Sequence, residues 1–85
     1  MKLKPTIAVF AAIFASSVFS APVNINTASA AKIAESLSGI GARKAEAIVQ
    51  YRDSNGHFKS ASDIISVKGI GQSIFVKNKQ DILIK

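Results

Sequence analysis

Leu37-Ser38-Gly39-Ile40-Gly41 and, thirty residues further on, Val67-Lys68-Gly69-Ile70-Gly71 are one phrase written twice: an apolar residue, a polar one, then Gly-Ile-Gly. Each copy follows a helical stretch and precedes another. Before the first, Ala30, Ile33, Ala34 and Leu37 fall at i, i+3, i+4 and i+7, one stripe of an amphipathic helix that Asn26 or Thr27 can cap. After it, Ala42, Ala45, Ile48, Val49 and Arg52 repeat the spacing, with Arg43, Lys44, Glu46 and Gln50 off the stripe. Asn55-Gly56 is a turn signal that ends this second helix. A short third helix runs through Ile64, Ile65 and Val67, capped by Ser60 or Ser62, and a fourth runs from about Gln72 to Lys79. No segment alternates as a strand does. The pattern predicts an all-α domain of four to five short helices, arranged as two helix-turn-helix units related by a pseudo-two-fold.

Two glycines around one residue allow a tight reversal, because glycine tolerates positive φ and close approach of another backbone. The intervening Ile40 or Ile70 can turn inward and pin its two helices together. The amides that open the next helix, Gly41 to Lys44 and Gly71 to Ile74, then point outward without intrahelical partners. Such donors, with the positive end of a helix dipole behind them, suit an anion, and phosphate above all. A single Gly-Ile-Gly is equally a plain helix connection. Two in register, with Arg43 and Lys44 after one and Lys68 before the other, suit a polymer of repeated phosphates.

Charge and hydropathy divide the chain. Eleven Lys and Arg stand against five Asp and Glu, a net +6, yet 48% of the 85 residues are hydrophobic. Residues 1–20 explain the mixture: Lys2 and Lys4 precede Thr6 to Phe19, a stretch without charge. Fourteen residues are too few to cross about 30 Å of hydrocarbon, which takes about 20 in a helix. Residues 1–20 are expected to be a cleaved signal peptide, with Ala21 as the mature N-terminus and the uncleaved short anchor as the competing reading. Residues 21–85 then form the working domain, with nine basic against five acidic side chains, a net +4.

Enzyme chemistry finds little to work with. There is no Cys, and His57 is the single His, so neither a disulfide scaffold nor a zinc site is expected. Glu35, Glu46, Asp53, Asp63 and Asp81 are scattered singly, unlike a two-metal nuclease centre. No cofactor and no small-molecule substrate are expected. Beyond residue 20 the aromatics are Tyr51, Phe58 and Phe75, each placed in the core rather than on a base-stacking platform.

Leu37 to Ala45, as Leu-x-Gly-Ile-Gly-x-x-x-Ala, resembles the helix-hairpin-helix motif of DNA-binding proteins. Residues 23 to 77 resemble the ComEA-like periplasmic competence DNA-receptor family: Val23-Asn24-Ile25-Asn26-Thr27-Ala28-Ser29, the first Gly-Ile-Gly with Ala45, Ile48 and Tyr51-Arg52, then Phe58-Lys59-Ser60 and the second Gly-Ile-Gly. The resemblance implies a tandem helix-hairpin-helix domain that binds double-stranded DNA through its backbone, without sequence preference, and captures it in the periplasm for transformation. Gly39, Ile40, Gly41, Arg43 and Lys44 would make the first phosphate contact; Gly69, Ile70 and Gly71 would make the second, with Lys68 and Lys77 nearby. Partners among DNA-uptake proteins are implied as well, and stable membrane insertion after signal cleavage is not. The second copy departs from the family where Gln72-Ser73 replaces Pro and a basic residue, Phe75 stands for Ala, and Asn78 falls at an apolar position. The second hairpin is therefore expected to be the weaker site, and the last helix frayed or differently packed. Two readings from other classes stay open: a helical protein-interaction module, and a basic membrane-surface protein built on Lys77, Lys79 and Lys85 beside Ile82-Leu83-Ile84.

Overall fold

Two short strands meet at the base of the domain. In the computed structural model, which describes residues 21–85, strand β1 (Val23–Asn24) pairs in parallel with β2 (Ile82–Leu83), Val23 opposite Ile82 and Asn24 opposite Leu83. The signal-peptide expectation for residues 1–20 lies outside the described residues. Strand periodicity is invisible in two-residue segments, so the pairing corrects the expectation of no strand; the fold remains helical. The Ile25 amide extends the pairing by donating to the Leu83 carbonyl at 3.0 Å.

Helix α1 (Ala30–Ser36) starts at Ser29, whose hydroxyl accepts the Lys32 amide at 3.1 Å. Asn26 and Thr27, expected as caps, are not used as such, for a reason visible in the packing. The Asn24 carbonyl accepts the amides of Thr27 and Ala28, folding this stretch into a turn that precedes the helix. Asn26 is buried instead, its amide group donating to the Phe58 carbonyl at 3.1 Å and accepting the Phe58 amide at 2.7 Å.

Helix α2 (Ala42–Asn55) carries the longest run of the expected stripe. Ala45 and Ile48 are buried and Val49 half-buried, whereas Ala42 sits exposed in the first turn. The helix stops at Gly56, whose φ of 91° turns the chain away while its amide closes on the Arg52 carbonyl at 2.9 Å. Arg52 plays a structural part, because its guanidinium donates to the Ile25 and Ala28 carbonyls at 2.8 and 2.7 Å and so fastens α2 to the N-terminal turn. Tyr51 stacks on Phe58 with ring centroids 5.3 Å apart, which places both aromatics against the core as expected.

The third element is a 3-10 helix (Ala61–Ser66) rather than an α-helix, started at Ser60. Tighter winding rises about 2.0 Å per residue against about 1.5 Å, so six residues reach from the anchored Phe58 loop to Val67. Helix α3 (Gln72–Asn78) and a single 3-10 turn (Lys79–Asp81) lead into β2. The core runs through all of these: Ile25, Ile33, Leu37, Ile40, Ile48, Phe58, Ile64, Val67, Ile70 and Ile82 are buried together.

Candidate nucleic-acid interface

Both Gly-Ile-Gly turns do what their residues allow. Gly39 and Gly69 adopt φ of 78° and 94°, the left-handed region that a side chain disfavours. Ile40 and Ile70, 3% and 4% exposed, drop into the core and fix each turn from beneath. Gly41 and Gly71 are the first flanking residues of α2 and α3, with ordinary extended backbone. A side-chain carbon built on either would meet nothing within 4 Å. The fold therefore does not need glycine at 41 or 71, and bare main chain faces solvent there.

Neither helix start is capped by a side chain. The first internal bonds are Ala45 to the Gly41 carbonyl at 2.9 Å and Phe75 to the Gly71 carbonyl at 3.2 Å. The amides of Ala42, Arg43 and Lys44 have no partner among the described residues. Arg43 is exposed beside them. Lys68 is exposed before the second turn. The one ion pair among the described residues is Arg52 with Asp53, at 4.0 Å, so Arg43, Lys44, Lys68 and Lys77 form none.

Two contacts hold the hairpins to each other. The Asn78 side chain, wholly buried, accepts the Ser38 amide at 2.8 Å and donates to the Ser38 carbonyl at 2.8 Å and the Ile74 carbonyl at 3.0 Å. In the reverse direction the half-buried Lys44 crosses from α2 to the second turn, its Cγ and Cε 3.9 and 4.0 Å from where a Gly69 side-chain carbon would lie. Asn78 thus replaces the expected apolar contact by a polar clasp, and α3 is differently packed rather than frayed. By sequence Asn78 is only a polar residue at an apolar position; its coupling to Ser38, forty residues away, carries no local signal. Lys77 is exposed near the end of α3, about 9 Å along the axis from Gly71 and next to the Asn78 that bonds Ser38.

Away from the hairpins, the Asp63 carboxylate lies below its ordinary pKa of 3.8 because it accepts the Lys59 amide, with the Ser60 amide adding to the effect. It closes a capping box and takes no part in the basic face. Ile82 is buried and Leu83 and Ile84 half-buried, which takes the apolar C-terminal residues away from a membrane surface. Val76 is the single exposed large hydrophobic among the described residues. No helix among them is long and apolar enough to cross a membrane, and no three His, Cys, Asp or Glu among them gather as metal ligands.

The family model for the helix-hairpin-helix motif matches residues 18–83, and the chain belongs to that family, as a ComEA-like DNA-binding domain. ComE operon protein 1 of Bacillus subtilis is 48% identical over 63 residues, 74% of this chain and 30% of that protein. An uncharacterized protein of Haemophilus influenzae is 51% identical over 69 residues, 81% of this chain and 62% of its own length. Endonuclease/exonuclease/phosphatase family domain-containing protein 1 of Xenopus laevis is 35% identical over 65 residues, 76% of this chain but 12% of that protein. The chain thus spans less than two thirds of each of these relatives. No solved structure matches.

Proposed function

We propose that the protein is an exported receptor for double-stranded DNA that grips the phosphate backbone through its two Gly-Ile-Gly hairpins and serves DNA uptake in the periplasm. The observation that carries this reading is the pair of bare, cation-flanked turns held side by side, with glycine at 41 and 71 where the fold itself does not demand it. Main chain that is open and rich in free amides admits a phosphate oxygen closely, and the α2 dipole favours its charge. The first contact comprises Gly39, Gly41 and Arg43, with Ile40 supporting the turn from within, and Lys44, next along α2, adds a second cation to the same face. The second comprises Gly69, Gly71 and Lys68, with Ile70 in the supporting role and Lys77 further along α3.

Contacts of this kind read no bases, so sequence preference is not expected. They match the backbone of a duplex, and the placement of Tyr51 and Phe58 in a stacked pair against the core leaves them unsuited to stacking bases. Export by a signal over residues 1–20 and the role in uptake are supported by the N-terminal sequence and by the kinship with ComE operon protein 1. The activities named in the Xenopus relative are not carried over, because the match covers 12% of that protein. A competition assay with unlabelled duplex DNA, single-stranded DNA and RNA, at two salt concentrations, tests the reading. Duplexes of unrelated sequence should compete equally well and better than single strands; preference for single strands would refute it.

A further inference from the structure

We infer that Lys44, which stands in the first hairpin's sequence, serves the second hairpin, and that Lys44 and Lys68 close on one and the same phosphate over the bare main chain of Gly69. This rests on the proposed DNA-binding function and refines it. By sequence, Arg43 and Lys44 belong together after Gly41, while the second copy opens α3 with Gln72-Ser73-Ile74 and so offers no cation at the matching positions. The structure separates the two basic neighbours. Successive helix positions point about 100° apart, and here Arg43 stays in solvent beside its own turn while Lys44 is half-buried and lies across the gap. Its Cγ and Cε run beside the Gly69 position at 3.9 and 4.0 Å, which puts the ammonium, one bond beyond Cε, at the second turn.

Three features make that placement specific. Lys44 is half-buried with its stem beside Gly69, the arrangement in which a long cationic side chain keeps its charged head in water. Gly69, held to glycine by a φ of 94°, keeps its main chain bare beside the stem. Finally, the Asn78 clasp on Ser38 fixes the first turn relative to α3, so the crossing of Lys44 is built into the relative placement of the hairpins. No carboxylate among the described residues forms an ion pair with Lys44. Lys68 is exposed and immediately precedes Gly69, so its side chain starts from the same bare main chain. Two cations meeting there supply the charge that Ser73 does not.

A double-mutant cycle on the purified protein tests the assignment, with duplex affinity read by fluorescence anisotropy. Lys44→Met and Lys68→Met retain the stems and remove the charges, alone and together; Arg43→Met with Lys68→Met is the control pair. Cations sharing one phosphate should be non-additive, the double variant departing from the product of the single losses by about threefold or more, while the control pair multiplies within error. Additive Lys44 and Lys68 losses, or equal coupling in both pairs, would overturn the assignment while leaving DNA binding intact. Absence of duplex binding by the wild-type protein would overturn the functional reading itself, and this one with it.

Discussion

Asn78 shows most plainly how one residue holds the arrangement. A leucine would satisfy the apolar pattern at that position, yet would leave the Ser38 amide and carbonyl without partners. Ser38 is exposed and these bonds are partly buried, so losing them costs about 1 kcal/mol, and Asn78→Leu should lower Tm by roughly 4 to 8 °C in a domain of this size. Asn78→Asp should be worse, since a carboxylate oxygen would face the Ser38 and Ile74 carbonyls in place of the amide donor. Differential scanning fluorimetry of both variants checks the order; a leucine variant as stable as wild type would show that the clasp is dispensable. Asp63 makes the complementary case at the surface. Its folded pKa is depressed by the amides it accepts, so its contribution is present above the ordinary value of 3.8 and is lost as pH falls through the folded value. Asp63→Asn should therefore be less stable than wild type at neutral pH, with the difference shrinking at acid pH in denaturant titrations. A difference independent of pH would mean that the carboxylate charge is irrelevant.

Within each hairpin the two glycines have different roles. Gly39 is required by its φ of 78°, and alanine there should cost about 1 to 2 kcal/mol of stability. Gly41 has extended backbone and open space around it, so Gly41→Ala should change stability by no more than about 0.5 kcal/mol. If a phosphate approaches that main chain, the added methyl should still weaken duplex binding by about tenfold, the worth of one hydrogen bond to a charged group. Parallel denaturation and anisotropy measurements separate the two; unchanged DNA binding in Gly41→Ala would remove the first turn from the interface. These helices and turns were legible because their signals are local: apolar residues at helical spacing over Ala30 to Leu37 and Ala45 to Arg52, and glycine pairs where the chain reverses. The β1 and β2 pairing and the choice of Ser29 over Asn26 as a cap were not, since each depends on a partner distant in sequence, and the short 3-10 run Ala61–Ser66 shares its spacing with an α-helical turn.

At the level of the whole molecule, the chain is a basic, mostly helical domain whose charge is given direction by two turns. The candidate site was legible as far as its residue types and its repeat; the Gly-Ile-Gly pairs, Arg43 and Lys68 are where their sequence context puts them. What the repeat concealed is that the copies are unequal: Asn78 reaches back to the first turn and Lys44 reaches across to the second, so the hairpins form one surface instead of two independent ones. Such coupling depends on side chains that break the pseudo-symmetry, and in the repeat they stand out only as mismatches. If this surface binds duplex DNA by neutralising phosphates, binding releases condensed counterions. A salt titration of duplex affinity by fluorescence anisotropy reads that release. With three to five phosphates engaged, the logarithm of affinity should fall with the logarithm of salt concentration at a slope of roughly −3 to −5; an affinity that does not change with salt would rule out phosphate neutralisation as the basis of binding.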